Sequence, residues 1–434
     1  MKIKILGFVA VSAMMILVGC APTVHPTYTV VEDAEWFALS PDVPTVKIIA
    51  QAGEQAAAGK VRLVVAPDKC LRFDSVSLSF VYEPLPAVYD LTQKVKVAAT
   101  ASSEVVFDVE LPEAGFFRCL LIADGQDTLK SFNIGLDPEQ IVSPVDAQPD
   151  FDEFWAKARA ELDAVAPEWV VTPLPDSSSV ARTIYLVSGR SLGGETIQGF
   201  YAKPNKPGKY PAIVHYMGYN SPAWCFDADA NPDYAEFVLS VRGQGLNQPT
   251  NKYGDWIVYG LDNKDDYYYR GAFMDLVRAV DFVASRPEVD TANIFAEGGS
   301  QGGAFTMVAA AIDNRIAAAA PTIPFLSDYR DYFSIVAWPS GAVLTRAAEL
   351  GIPDEELYKT LSYFDVKNFA GKITCPVIMG FGLQDGVCPP HTNFAGYNQI
   401  TSPKEYRVYP QSGHWTGPDW WGVMNDFFEN AKKI

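Results

Sequence analysis

The stretch Asn293-Ile-Phe-Ala-Glu-Gly-Gly-Ser-Gln-Gly-Gly303 runs from an apolar strand signal into glycines, a serine, and more glycines that open a small-residue helix. Its core, Gly298-x-Ser300-x-Gly302, has the spacing of a nucleophile elbow, a sharp strand-to-helix turn that exposes a serine hydroxyl. Glycines flank the serine because side chains there would clash inside the turn. The same letters could form a plain glycine-rich turn, but here strand, turn and helix stand in the required order. The stretch predicts an α/β-hydrolase fold with Ser300 as nucleophile.

Outward from the elbow, strand and helix signals alternate. Ala212-Ile213-Val214, Phe237-Val238-Leu239 and Pro376 to Phe381 read as buried strands, while Phe273, Leu276, Val277 and Val280 mark one helix face. Such alternation predicts a mostly parallel sheet covered on both faces by helices.

A serine hydroxyl is a weak nucleophile and needs an imidazole base, which in turn needs a carboxylate to fix its tautomer. In this fold class the order along the chain is Ser, then Asp or Glu, then His. Only His391 and His414 follow Ser300. The strand ending at Phe381 leads into Gly382-Leu383-Gln384-Asp385, which places Asp385 as the acid. His391 follows too closely, in the same Cys388-Pro389-Pro390 loop. His414 comes after the strand Tyr406 to Tyr409, in a Gly413-His414 turn before the last helix, and is the expected base.

From about residue 149 to the C-terminus the chain resembles the acetyl xylan esterase and cephalosporin C deacetylase family, carbohydrate esterase family seven. The matching pieces are Arg242-Gly243-Gln244, Tyr267-Tyr-Tyr-Arg-Gly271, the elbow, Leu361-Ser-Tyr-Phe-Asp365, Gly382 to Pro390 and Phe394-Ala-Gly-Tyr-Asn398. The resemblance implies serine-triad hydrolysis of small acetyl esters on sugars or cephalosporins, without metal or other cofactor. It also implies an oxyanion hole built from the backbone N–H groups of Gln301 and of Tyr219, the latter in the loop His215-Tyr-Met-Gly-Tyr219, and makes Arg242 a structural brace. The sequence departs from the family in two ways: Trp415 stands directly after His414, where glutamate is usual, and an N-terminal segment is added. The family's homo-oligomeric ring must be weighed against that added segment, which is able to cover an assembly face.

Residues 20–145 form that segment. Val76, Leu78 and Phe80 alternate with serines, Val105, Phe107, Val109 and Leu111 share a face, and turns such as Glu83-Pro84-Leu85-Pro86 separate the runs. A small antiparallel β-sandwich is expected, followed by a linker from Ser143 to Pro149 and an esterase domain over 149–434. Lys2 and Lys4, an apolar run from Ile5 to Val18, then Gly19 and Cys20 have the layout of a secretory signal, too short to span a bilayer. Leu17-Val18-Gly19-Cys20 resembles a lipobox, so residues 1–19 are expected to be removed and Cys20 acylated, anchoring an exported protein to the bacterial cell envelope.

The 434 residues carry 52 acidic against 34 basic side chains, a net charge of −18, which repels nucleic acid and anionic membrane surfaces. Cys70, Cys119, Cys225, Cys375 and Cys388 remain after Cys20. Cys70 and Cys119 could bridge two sheets or stay as buried thiols. The four histidines are too scattered for zinc spacing. Two other functions fit parts of the pattern: a prolyl-oligopeptidase-type peptidase, whose propeller would need more than the N-terminal residues available, and a non-catalytic glycan-binding lipoprotein.

Overall fold

Residues 23–124 and 128–433 are described by the computed structural model, so the expected signal segment and Cys20 lie outside the described residues. From residue 27 the alternating pattern becomes ten strands: β1 (Thr27–Val31), β2 (Phe37–Ala38), β3 (Thr45–Gln51), β4 (Ala57–Pro67), β5 (Leu71–Asp74), β6 (Ser79–Tyr82), β7 (Tyr89–Val97), β8 (Ser102–Asp108), β9 (Gly115–Ala123) and β10 (Thr128–Leu136). A three-stranded sheet, β1-β3-β8, and a five-stranded sheet, β2-β10-β9-β4-β7, close on one core. Val46, Ile48 and Phe107 from the first sheet and Val61, Leu63, Cys119 and Ile134 from the second are buried there, as strands with one inward face require. Cys70 and Cys119 are buried free thiols.

One sequence expectation needs correction in this part of the chain. The run Val76, Leu78, Phe80 is not one strand. Asp74 accepts hydrogen bonds from the Val76 amide (3.0 Å) and the Ser77 hydroxyl (2.9 Å), which turns the chain into the β5–β6 hairpin. Leu78 takes φ 51° and Val76 is 91% exposed, because a local side-chain bond to the backbone outcompetes the alternation. The segment expected as a linker is docked along the esterase domain: Ser143 Oγ donates to Asp328 at 2.9 Å, the Asp146 amide to Asn368 at 3.0 Å, and Gln148 Nε2 to Ser362 at 3.0 Å.

The remaining strands are β11 (Val170–Pro173), β12 (Arg182–Arg190), β13 (Thr196–Pro204), β14 (Tyr210–Tyr216), β15 (Ala235–Ser240), β16 (Val289–Gly299), β17 (Ile316–Thr322), β18 (Val377–Gly382) and β19 (Lys404–Tyr409). They form one sheet in the order β11-β12-β13-β15-β14-β16-β17-β18-β19. It is parallel from β15 to β19, with β11, β12 and β13 added antiparallel. The helices are α1 (Phe151–Asp163), α2 (Tyr268–Ala284), α3 (Gln301–Ile312), α4 (Tyr329–Ile335), α5 (Ser340–Leu350), α6 (Asp354–Ser362), α7 (Val366–Ala370), α8 (Pro390–Tyr397) and α9 (Trp420–Ala431).

Alternate residues of the central strands enter different cores. Val214 and Ala296 pack with α2 and α3, whereas Ile213 and Phe295 pack with Trp420, Met424 and Phe428 of α9. Burial on both faces is why these strands read as unbroken apolar runs. An open parallel sheet leaves its crevice at the carboxyl ends of its strands, and the loops after β14, β15, β16, β18 and β19 all emerge there. Among the described residues no helix is long and apolar enough to cross a membrane.

Candidate active site

Ser300 joins β16 to α3 with φ 60° and ψ −119°, a conformation that costs a non-glycine residue about 1–3 kcal/mol. It is held by backbone bonds: its N–H donates to Thr322 (3.0 Å), and its carbonyl accepts from Phe325 (3.0 Å) and Ala304 (3.1 Å). A Cβ at Gly298 or Gly302 would run into the Tyr216 carbonyl at the end of β14. The glycines of the motif therefore let the elbow sit directly on the neighbouring strand.

Asp385 follows β18 and is 1% exposed. Its Oδ1 accepts the amides of Val387 and Cys388, both at 2.8 Å, and its Oδ2 lies 2.8 Å from His414 Nδ1. A carboxylate on Nδ1 leaves Nε2 as the ring nitrogen available to another partner. The Ser300 Oγ lies 3.9 Å from the Cys388 Sγ. Cys388 thus touches both the serine and, through its amide, the carboxylate. Burial, reinforced by the Asp385 charge, pushes its thiol well above the ordinary range and keeps it neutral.

The other residues singled out in the sequence lie on the elbow and on the loops after β14, β15 and β19. Gln301 is fully buried and Tyr219 sits in the loop after β14, its ring edge-on to Trp256 at 5.2 Å. Among the described residues, neither the Gln301 nor the Tyr219 backbone N–H has a hydrogen-bond acceptor. Arg242 is buried and grips Asp275 through Nε (2.9 Å) and Nη2 (2.7 Å), with Nη2 also donating to the Leu192 carbonyl (3.2 Å). Trp415 is 56% exposed beside His414, at the rim.

Three features were not assigned from sequence. Gln244 pairs reciprocally with the Gln301 carboxamide (3.2 and 3.1 Å) and accepts from the Asn220 amide (3.2 Å), linking the elbow to the Tyr219 loop. Its signal was its place in Arg242-Gly243-Gln244. Beneath that loop, His215 lies between Glu297 and Glu236, the latter at 3.1 Å and also paired with Arg182. Burial works against the imidazolium, but the two carboxylates outweigh it and raise its pKa to about 9. His391, set aside as a base, contacts Asp331 (3.0 Å) and Asp68 (3.5 Å); burial is again outweighed by the carboxylates, and its pKa rises to about 10. Asp328, Asp331 and His391 bring three ligand-type groups together, but Lys367 already pairs with Asp328 at 2.9 Å and Lys69 with Asp331 at 2.6 Å.

A mixed sheet with a serine elbow at the carboxyl end of β16 defines an α/β-hydrolase. Residues 129–429 match the acetyl xylan esterase (AXE1) family, and the match begins within β10, ahead of the boundary at 149 read from sequence. The chain is 30% identical over 365 residues to acetyl esterase Axe7A of Xylanibacter ruminicola, covering 80% of this chain and 81% of that protein. Among solved structures, the acetyl xylan esterase from Paenibacillus sp. R4 is 33% identical with a TM-score of 0.64, and acetyl xylan esterase 1 from Thermoanaerobacterium sp. JW/SL YS485 is 30% identical with a TM-score of 0.63. Each covers 68% of this chain but 98% of its own. The chain belongs to the acetyl xylan esterase family. It is a serine carboxylic ester hydrolase of the carbohydrate acetyl esterase kind.

Proposed function

We propose that this chain removes O-acetyl groups from xylan, xylooligosaccharides or related acetylated sugars through Ser300, His414 and Asp385. The observation that carries the reading is the 2.8 Å contact of buried Asp385 with His414 Nδ1, in a site whose strained serine abuts the same acid loop. Ser300 Oγ attacks the acetyl carbonyl carbon while its proton passes to His414 Nε2. The Gln301 and Tyr219 amides, free of other acceptors, receive the oxyanion, each such donor being worth about 3 kcal/mol. His414 then protonates the departing sugar oxygen. Water, deprotonated by the same nitrogen, releases acetate from the acyl-serine. The acetyl ester of a cephalosporin presents the same reacting group.

The test is Ser300→Ala, assayed on p-nitrophenyl acetate and an acetylated xylooligosaccharide with folding checked by circular dichroism. The expected loss of kcat is about 10⁴-fold or more. A variant that kept more than about a hundredth of the parent kcat would remove Ser300 from the nucleophile's role.

The apolar run ending at Cys20 supports placement in the cell envelope by acylation of that cysteine, since anchoring by more than one chain is stable where a single chain is marginal. Cys20→Ala should shift the protein out of the membrane fraction. Wild-type protein found wholly soluble, without lipid by mass spectrometry, would rule the anchor out.

A further inference from the structure

The N-terminal strands meet the esterase domain at the loops that carry Asp385 and His414. β2 is so short that it pairs with β10 only at Gly135 and Leu136. Among the described residues, the edge of β10 before that point has no strand beside it. At Asn133 one side chain fills the gap. The Gln384 carboxamide accepts the Asn133 N–H at 2.7 Å and donates to the Asn133 carbonyl at 3.0 Å, the two bonds that one residue of a neighbouring strand would make.

Gln384 is also tied to the other side of the site. Its Nε2 donates to the Pro410 carbonyl at 2.8 Å, and its backbone N–H to the Ser412 carbonyl at 2.9 Å. Asn133 Nδ2 closes the arrangement on the Leu383 carbonyl at 3.1 Å. Gln384 directly precedes Asp385, and Pro410 to Ser412 belong to the turn that ends in His414. One half-buried side chain therefore sets the acid loop and the base loop against a common reference, the edge of β10.

Two further contacts grip the same loop at its ends. Before it, Phe116 of β9 packs on Phe381 (6.4 Å) and Phe394 (5.8 Å). After it, His391 at the start of α8 faces Asp68 from the N-terminal region and Asp331, which Lys69 also holds. Both contacts fasten the two parts of the chain together. Of these three contacts, only the one through Gln384 also reaches the base loop.

We propose that Gln384, locked onto Asn133, is a positioning residue for ester hydrolysis, which makes the N-terminal β region a working part of the active site. The inference rests on the triad reading above, because what Gln384 positions is the Asp385–His414 pair. Misplacing reacting groups by about 1 Å is enough to cost about 100-fold in rate.

The test uses the full chain carrying Gln384→Leu or Gln384→Glu, with kcat and KM measured on p-nitrophenyl acetate across pH, and thermal melting recorded alongside. The glutamate keeps the size of the side chain and its acceptor for the Asn133 N–H, but sets a carboxylate oxygen against the Asn133 and Pro410 carbonyls. Both variants should lose about 10- to 100-fold in kcat with KM changed less than about twofold. The acidic limb of kcat/KM should move to lower pH, because a loosened Asp385 stabilises the His414 imidazolium less. A purely structural role would lower the melting temperature without moving that limb. Should the leucine variant not fold, the glutamate variant decides alone. Folded variants with kcat within about threefold of the parent, or with an unmoved acidic limb, would overturn the proposal. Asp385→Asn run in parallel separates the two levels: if it stays active the triad reading fails, and if it is inactive while both Gln384 variants are active only the positioning role fails.

Discussion

The nucleophile elbow and the acid loop reach the same site, but only the acid loop is also gripped by the N-terminal region. Ser300 is fixed from within the esterase sheet, by backbone bonds to Thr322 and Phe325 and by glycines that let β16 and α3 close on Tyr216. Asp385 is held within the esterase domain by the Val387 and Cys388 amides and by His414, and its loop is also tied to the N-terminal region, by Gln384 on the edge of β10, by Phe116 against Phe381, and by His391 against Asp68. A strained backbone survives only where its surroundings over-determine it, so the serine needs a local cage. A loop without strain tolerates adjustable side-chain supports, and those can come from an added region of the chain.

The contrast is broken most severely at the elbow. Gly302→Ala places a methyl group against the Tyr216 carbonyl, where the nearest atoms are all backbone of Tyr216 and Met217 and no flexible side chain is there to yield. The expected cost is about 2–4 kcal/mol of stability and more than about 100-fold in kcat, read by urea unfolding and ester hydrolysis. A folded, nearly active Gly302→Ala enzyme would show that the elbow is less tightly caged than its geometry says.

Gln244→Ala probes the seam between the elbow and the Tyr219 loop, where one carboxamide meets Gln301 and the Asn220 amide. Loss of that link should lower kcat about tenfold while KM moves little, since the Gln301 and Tyr219 amides proposed to receive the oxyanion would no longer be held in register. Equal effects on kcat/KM through KM alone would instead place Gln244 in ground-state binding.

A pH series sharpens the comparison on the acid-loop side. His391 has its folded-state pKa raised from 6.5 to about 10. Its stabilisation is therefore complete below the unfolded pKa and is lost as pH rises through the folded value. The stability difference between the parent and His391→Gln, measured as urea midpoints, should narrow by an amount on the order of a few kcal/mol between pH 7 and pH 10. A gap that stays constant would mean that the contact with Asp68 and Asp331 does not depend on charge. His215, raised to about 9 beneath the elbow, should show the same sign in a lower window.

The smallest expected effect is at the rim. Trp415 offers an exposed aromatic face next to His414, suited to the apolar face of a sugar ring. Trp415→Ala should raise KM for an acetylated xylooligosaccharide about threefold to tenfold and leave kcat within about twofold. An unchanged KM would leave Trp415 without a part in substrate binding.

What could be read from sequence alone and what could not divide along the same line as these two supports. The elbow is written in a few adjacent residues, because glycine spacing and a strand-to-helix switch are local properties of the backbone. Chain order in this fold class picks out Asp385 and His414 as the candidate acid and base, which lie 2.8 Å apart, and the alternating strands of the N-terminal region follow from one buried face. Where a local side chain competed with alternation, as Asp74 does at the β5–β6 turn, the periodic pattern misled. The partners of Gln384, Gln244 and His391 have no such local signature. Asn133 and Gln384 are 251 residues apart, and each is unremarkable in its own segment. Their pairing uses an edge of β10 that β2 leaves uncovered, a consequence of how the sheets pack, and no spacing along the chain encodes which exposed strand edge will meet which carboxamide.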